Sequence, residues 1–205
     1  MRFSSHLIRG AGVIAGLALA VPPCGAWVVI PPRAGQVGLG IQGQYGAMLE
    51  SGSLGKEYNS GAGLAVRLRY RMRYERGIGL SFESQSFDAR RFPAISTERD
   101  TAPDRVRLFT AGPEVYQMFG TRSRDHKMVS VGAGLAKVAV KLGDGETVFP
   151  SAGDGVYVSA GAGVEHFFWQ SWAYDLSGRY LAVFHDRKPN HDFQISLGLI
   201  FYASY

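Results

Sequence analysis

Arg67, Arg69, Arg71 and Arg73 take every second position of the run Leu64-Ala65-Val66-Arg67-Leu68-Arg69-Tyr70-Arg71-Met72-Arg73-Tyr74. Successive side chains of a strand point to opposite faces, so the guanidiniums share one face. Leu64, Val66, Leu68, Tyr70, Met72 and Tyr74 take the other. A guanidinium row can hold anions, or it can pair with carboxylates across an enclosed space. It cannot face hydrocarbon, where each arginine costs about 2–4 kcal/mol at the bilayer midplane. Arg105, Arg107 and Arg179 extend the set, and Glu83, Glu114, Glu165 and Asp175 are the carboxylates expected on the same interior face. One reading is an internal ion-pair network. The other is an anion-preferring pore, which requires the arginines to outnumber their partners along a continuous wet path.

Other constellations offer less. His185, Asp186, His191 and Asp192 cluster around one loop, but ligand spacing recurs nowhere else, so no metal and no cofactor are expected. Gly132-Ala133-Gly134 and Gly161-Ala162-Gly163 do not open an amphipathic helix, and Gly52-Ser53-Leu54-Gly55-Lys56 lacks the spacing of a phosphate-binding loop. Arg90 and Arg91 beside Phe92 suit a loop that meets an external partner.

The elements that would position these side chains are strands. Alternation predicts them at 35–48, 62–74, 77–87, 104–119, 127–141, 155–168, 172–184 and 192–205. Val106 and Leu108 are expected outward, with Arg105 and Arg107 inward. A bulge near Gly112-Pro113 would then be needed to turn Glu114 inward, and a similar slip is expected near Lys137. Longer polar connections follow alternate strands (49–61, 88–103, 142–154 and 185–191), and short turns follow the others. An up-and-down antiparallel barrel with both termini on the periplasmic side gives this spacing. Tyr74, Phe119, Phe168, Trp169, Trp172, Tyr174 and Tyr205 would form one aromatic girdle, with Phe87, Tyr157 and Phe184 in the other.

Residues 1–26 read as a secretory signal peptide. Arg2, His6 and Arg9 precede the apolar Ala11 to Val21, and Cys24-Gly25-Ala26 supplies small residues for cleavage before Trp27. The apolar run is shorter than the roughly 20 residues a spanning helix needs. Cys24 is the only cysteine and would leave with the signal, so no disulfide framework is expected. Proline before Cys24 argues against lipoprotein processing. The chain has 205 residues, 27 of them glycine, and is 46% hydrophobic. Such an average suits a barrel because its apolar residues alternate with polar ones. A formal net charge of +5 could suggest nucleic acid. Export and the alternate placement of the arginines argue instead for anionic lipid headgroups.

The pattern after Trp27 resembles the small eight-stranded outer-membrane barrels of Gram-negative bacteria, of the OmpA and OmpX kind. Ser196, Gly198, Phe201, Ala203 and Tyr205 resemble the C-terminal signal that the barrel-assembly machinery reads in that family. The resemblance implies an all-β, eight-stranded antiparallel transmembrane barrel in the outer membrane, following a cleaved signal peptide. Its partners would be outer-membrane lipids, lipopolysaccharide and the assembly machinery, and the oligomeric state has no signature in the sequence. Some barrels of this size modify lipid A, and 179–193 is faintly similar to the hairpin of a lipid A deacylase. The histidine-x-serine-asparagine motif is absent, because Asp186 and Arg187 follow His185. A non-enzymatic structural or surface-interaction role is the expectation, with the narrow pore and the lipid A enzyme as alternatives.

Overall fold

The computed structural model describes residues 33–50, 53–89, 105–141, 147–148, 154–184 and 189–203. Strands β1 (Val37–Met48), β2 (Tyr58–Arg71), β3 (Arg76–Ala89), β4 (Arg105–Phe119) and β5 (Asp125–Lys141) form an antiparallel meander. The two-residue β6 (Thr147–Val148) extends the end of β5, and a short helix, α1 (Ser53–Glu57), lies between β1 and β2. The meander resumes with β7 (Asp154–Phe167), paired to β5, and ends with β8 (Trp172–Phe184) and β9 (Asn190–Ala203). β9 pairs back onto β1 from Val37↔Ala203 to Met48↔Asp192, so the eight long strands close into a barrel. Closure satisfies every ladder within the wall, as a sheet must to cross hydrocarbon. Each predicted strand is present, with its ends displaced by four residues at most.

The outer wall is apolar. Leu39, Ile41, Leu64, Val66, Leu80, Phe82, Val131, Leu135, Leu176, Ile195 and Leu197 are all at least 40% exposed there. On β5 the outward series runs Lys127, Val129, Val131, Ala133, Leu135, Lys137. Those lysines are ten positions apart on one strand. At about 3.4 Å per residue and about 40° of tilt they bracket a belt about 26 Å tall, the height of an outer-membrane hydrocarbon layer.

The interior is layered. At the end where β1 finishes and β2 begins, Met48, Tyr58, Phe87, Val106, Leu108, Val138, Tyr157, Leu181 and Val183 form an apolar cluster, with Leu54 of α1 packed on it. The middle holds the charges. Toward the opposite end, Phe167, Ala173, Ile200 and Tyr202 form a second cluster and Tyr116, Met118 and Met128 a third.

This layering overturns several expectations. Arg105 and Arg107 are exposed on the outer wall, while Val106 and Leu108 point inward at 1% and 2% exposure. The lumen at that level is mostly apolar, lined by Met48, Phe87, Tyr157, Leu181 and Val183, and its one buried carboxylate among the described residues, Asp192, is bonded to Gln194. An unpaired guanidinium there would cost far more than the roughly 0–1 kcal/mol of an outward arginine near the interface. With Val106 inward, Glu114 follows at the same parity, and no bulge is needed. β4 runs unbroken in register with β3 through Gly112↔Ser81 and Pro113↔Leu80. The slip near Lys137 is likewise absent, and Lys137 is simply exposed. Arg73 is exposed because β2 ends at Arg71. Its amide donates to the carbonyl of Arg76 at 3.0 Å in the turn to β3. Phe87 and Tyr157 are buried in the lumen and take no part in a girdle.

Candidate functional site

The remaining charges converge in the middle of the lumen. Arg67, Arg69 and Arg71 of β2 point inward at 4% exposure or less, and Arg179 of β8 meets them from across the barrel. Arg69 pairs with Glu165 of β7 and, at 2.8 Å, with Asp175 of β8. Arg71 donates to the other oxygen of Glu165 at 2.8 Å. Arg67 lies 3.5 Å from Glu83 of β3, while Arg179 pairs with Glu83 and, at 3.1 Å, with Glu114 of β4. Every one of these four guanidiniums therefore has a carboxylate partner.

Neutral groups complete the network. Tyr202 donates its hydroxyl to Glu165 at 2.7 Å, and its ring lies 4.9 Å from the Arg71 guanidinium carbon. Gln42 of β1 donates to Asp175 at 2.7 Å. Arg67 donates to Ser177 at 3.3 Å, and Arg179 to Ser159 at 2.9 Å. Thr110 donates to Glu83 at 3.3 Å, and His126 of β5 lies 3.3 Å from Arg71. All eight long strands thus contribute. Burying charges in this way is tolerable only when each is paired and hydrogen-bonded.

Local sequence makes room for it. Gly198 of β9 lies in register between Gln42 and Asp175. A Cβ at Gly198 would sit 2.6 Å from Gln42 Cα and collide with Ile41 O. Glycine there leaves a gap through which Gln42 reaches Asp175.

Among the described residues four buried arginines face four paired carboxylates, and a fifth buried carboxylate, Asp192, accepts from Gln194 at 2.8 Å. Cations do not outnumber anions inside. The network is also covered at both ends by the apolar and aromatic layers.

The other candidates separate. His191 is half-buried beside the outward Tyr180, its ring nitrogen in contact with the Tyr180 hydroxyl, whereas Asp192 points into the lumen. The two do not converge on one point. Ser196 is buried and Phe201 exposed, with Gly198 inward and Ala203 partly buried at the strand end. His185, Asp186, Arg90, Arg91, Phe92, Tyr205 and residues 1–26 lie outside the described residues. Tyr202 and His126 were not among the expected network residues. Tyr202 sits on the polar face of the last strand, which was a usable signal; His126 falls one residue before the strand predicted at 127–141, which in the structure begins at Asp125.

A closed antiparallel cylinder, apolar outside and charged within, defines a β-barrel that crosses a membrane with its strands. Among solved structures the chain is similar to Neisserial surface protein A, with a TM-score of 0.58 and 18% identity over 82% of this chain and 98% of that one. It is similar to the outer membrane protein OprG of Pseudomonas aeruginosa, at 0.57 and 10% identity over 84% and 98%. A third is Ail, the attachment invasion locus protein of Yersinia pestis, in complex with the heparin analogue sucrose octasulfate, at 0.53 and 16% identity over 83% and 99%. The fold is therefore that of the small outer-membrane β-barrels. No protein-family model matches the chain, and no curated protein matches it in sequence.

Proposed function

We propose that this chain is a non-conducting, non-enzymatic barrel of the bacterial outer membrane, exported by its N-terminal signal. Its role would be to stabilise the outer leaflet and to present loops to lipopolysaccharide or an external partner. One observation carries the reading: the lumenal charges neutralise one another between two apolar layers. A pore would need unpaired cations beside water, and a hydrolase would need a base within reach of a nucleophile. The loop segment Arg90-Arg91-Phe92 supplies charge and an aromatic anchor, and the structure of Ail with a sulfated heparin analogue supports a polyanion-facing outer surface.

Planar-bilayer recording on the purified protein is expected to show no steady conductance. A stable, anion-selective current that falls on neutralising Arg69 and Arg71 would establish the pore instead. Mass spectra of lipid A are expected to be the same with and without expression. Exchanging Arg90 and Arg91 for serine should weaken lipopolysaccharide binding, and unchanged binding would remove the loop from the reading.

A further inference from the structure

The paired lumenal charges leave one carboxylate over. Among the described residues Arg67, Arg69, Arg71 and Arg179 are the buried arginines, and Glu83, Glu114, Glu165, Asp175 and Asp192 are the buried carboxylates. His126 adds no charge, since its Nδ1 faces an Arg71 nitrogen and a guanidinium can only donate. The arginines are taken up by Glu83, Glu114, Glu165 and Asp175, so the odd charge is Asp192. It is 2% exposed, and Gln194 Nε2 donates to its Oδ2 at 2.8 Å. Its other oxygen, Oδ1, meets no hydrogen-bond donor of the protein. A buried carboxylate with neither a cation nor a full set of hydrogen bonds is among the costliest groups a fold can hold.

Its surroundings are rich in unused oxygen. Asp192 and Gln194 are successive inward positions of β9, opposite Met48 and Gly46 of β1. Gln44 is the inward residue next to Gly46, so Gln44 and Gln194 are diagonal neighbours within about 8 Å. Both are buried, and the side-chain oxygen of each lacks a donor. The Gln44 nitrogen lacks a partner too, so this amide can turn either end toward Asp192. Gly46 keeps the place open: a Cβ there would lie 2.9 Å from Asp192 Oδ1 and collide with the side-chain nitrogen of Gln85. Gln85 already donates to the Gly61 carbonyl at 3.0 Å, and a second bond from it would leave the charge of Asp192 uncompensated. A water molecule would leave it so as well. What the place calls for is a positive charge small enough to sit among oxygens. One carboxylate matches one unit charge, and neutral amide oxygens suit a hard cation. Among the described residues no three His, Cys, Asp or Glu side chains come together, as a transition metal would require.

We infer that Asp192, with the amide oxygens of Gln194 and Gln44, holds a monovalent metal cation of sodium size inside the barrel, at the edge of the apolar layer. Asp192 supplies the charged ligand and the glutamines the neutral ones. The ion neutralises the one lumenal carboxylate that no described arginine pairs with. It also bridges β9 and β1, the seam at which the last strand meets the first and the barrel closes.

The test is urea unfolding of the detergent-solubilised full chain at fixed pH and ionic strength, with sodium chloride exchanged for choline chloride. Choline is too large to sit among the three side chains. The midpoint should rise with sodium, and above the dissociation constant each tenfold increase should raise the folded-to-unfolded ratio about tenfold. Asp192→Asn keeps the shape, removes the charge and should make the midpoint indifferent to sodium. In choline chloride this variant should be at least as stable as the wild type, which loss of a merely structural carboxylate would not give. Crystals of the wild-type protein with thallium(I) in place of sodium should show an anomalous peak beside Asp192, and that decides the matter should the variant fail to fold. Equal midpoints in the two salts, an undiminished sodium response in Asp192→Asn, or thallium bound only elsewhere would each overturn the inference. So would stabilisation by acid alone, which would make a proton the neutralising charge, or a greater response to calcium than to sodium. A sodium-indifferent barrel that does not conduct would break this inference alone and leave the proposed function standing.

Discussion

The arginines of β2 and those of β4 share a spacing and have opposite fates. Arg67, Arg69 and Arg71 are buried and paired; Arg105 and Arg107, also two residues apart, stand exposed on the outer wall. The difference lies in what each strand faces at its depth. Opposite β2 at mid-barrel are Glu83, Glu165 and Asp175, so turning inward gains partners and avoids hydrocarbon. Opposite the start of β4 are Phe87, Tyr157 and Leu181, so turning outward costs little and frees the lumen for Val106 and Leu108. Alternation shows which residues travel together. Depth decides which way they go.

The largest effect should come from stranding the interior arginines. Glu165→Leu removes a carboxylate from both Arg69 and Arg71 and should destabilise the barrel by about 3–5 kcal/mol, the usual cost of leaving buried charge unpaired. Urea unfolding in detergent micelles would register it as a lower midpoint. Adding Arg71→Met should recover part of the loss, because Arg69 keeps Asp175. Independent, additive effects of the two substitutions would contradict the pairing.

Next comes the apolar layer. Leu108→Ala opens a cavity beside Phe87 and Tyr157 and should cost about 2–5 kcal/mol by the same measurement. A negligible change would mean that Leu108 faces lipid. The smallest effects belong to the exposed arginines: Arg107→Ser and Arg73→Ser should each move stability by no more than about 0.5 kcal/mol. A loss for either as large as that of Glu165→Leu would erase the contrast between the two regions.

Much of this was legible from local pattern. The barrel was readable because period-two alternation repeats along the chain and the connections alternate in length. Arg67, Arg69, Arg71, Arg179, Glu83, Glu165 and Asp175 were readable because each sits at the polar parity of its own strand, whereas Glu114 was placed inward only through a bulge that the structure does not have. The Arg67–Glu83 pair could be anticipated, since β2 and β3 are joined by a short turn. Contacts such as Arg69 with Asp175 could not, because they cross the lumen between strands far apart in sequence, and strand tilt brings them level. Arg105 and Arg107 were assigned to the wrong face because a uniformly polar lumen was assumed. Once Val106 and Leu108 are seen to fill an apolar layer, the odd bulge invoked for Glu114 disappears with the error. Arg73 failed for a plainer reason, since alternation does not mark where a strand yields to a turn.

A cysteine scan of positions 105 to 108, in a Cys24→Ser background and with a membrane-impermeant maleimide, tests the central claim most directly. Cysteine at Arg105 and Arg107 should label from the outside, and cysteine at Val106 and Leu108 should stay protected. Labelling of 106 and 108 with protection of 105 and 107 would return these arginines to the lumen and contradict the account.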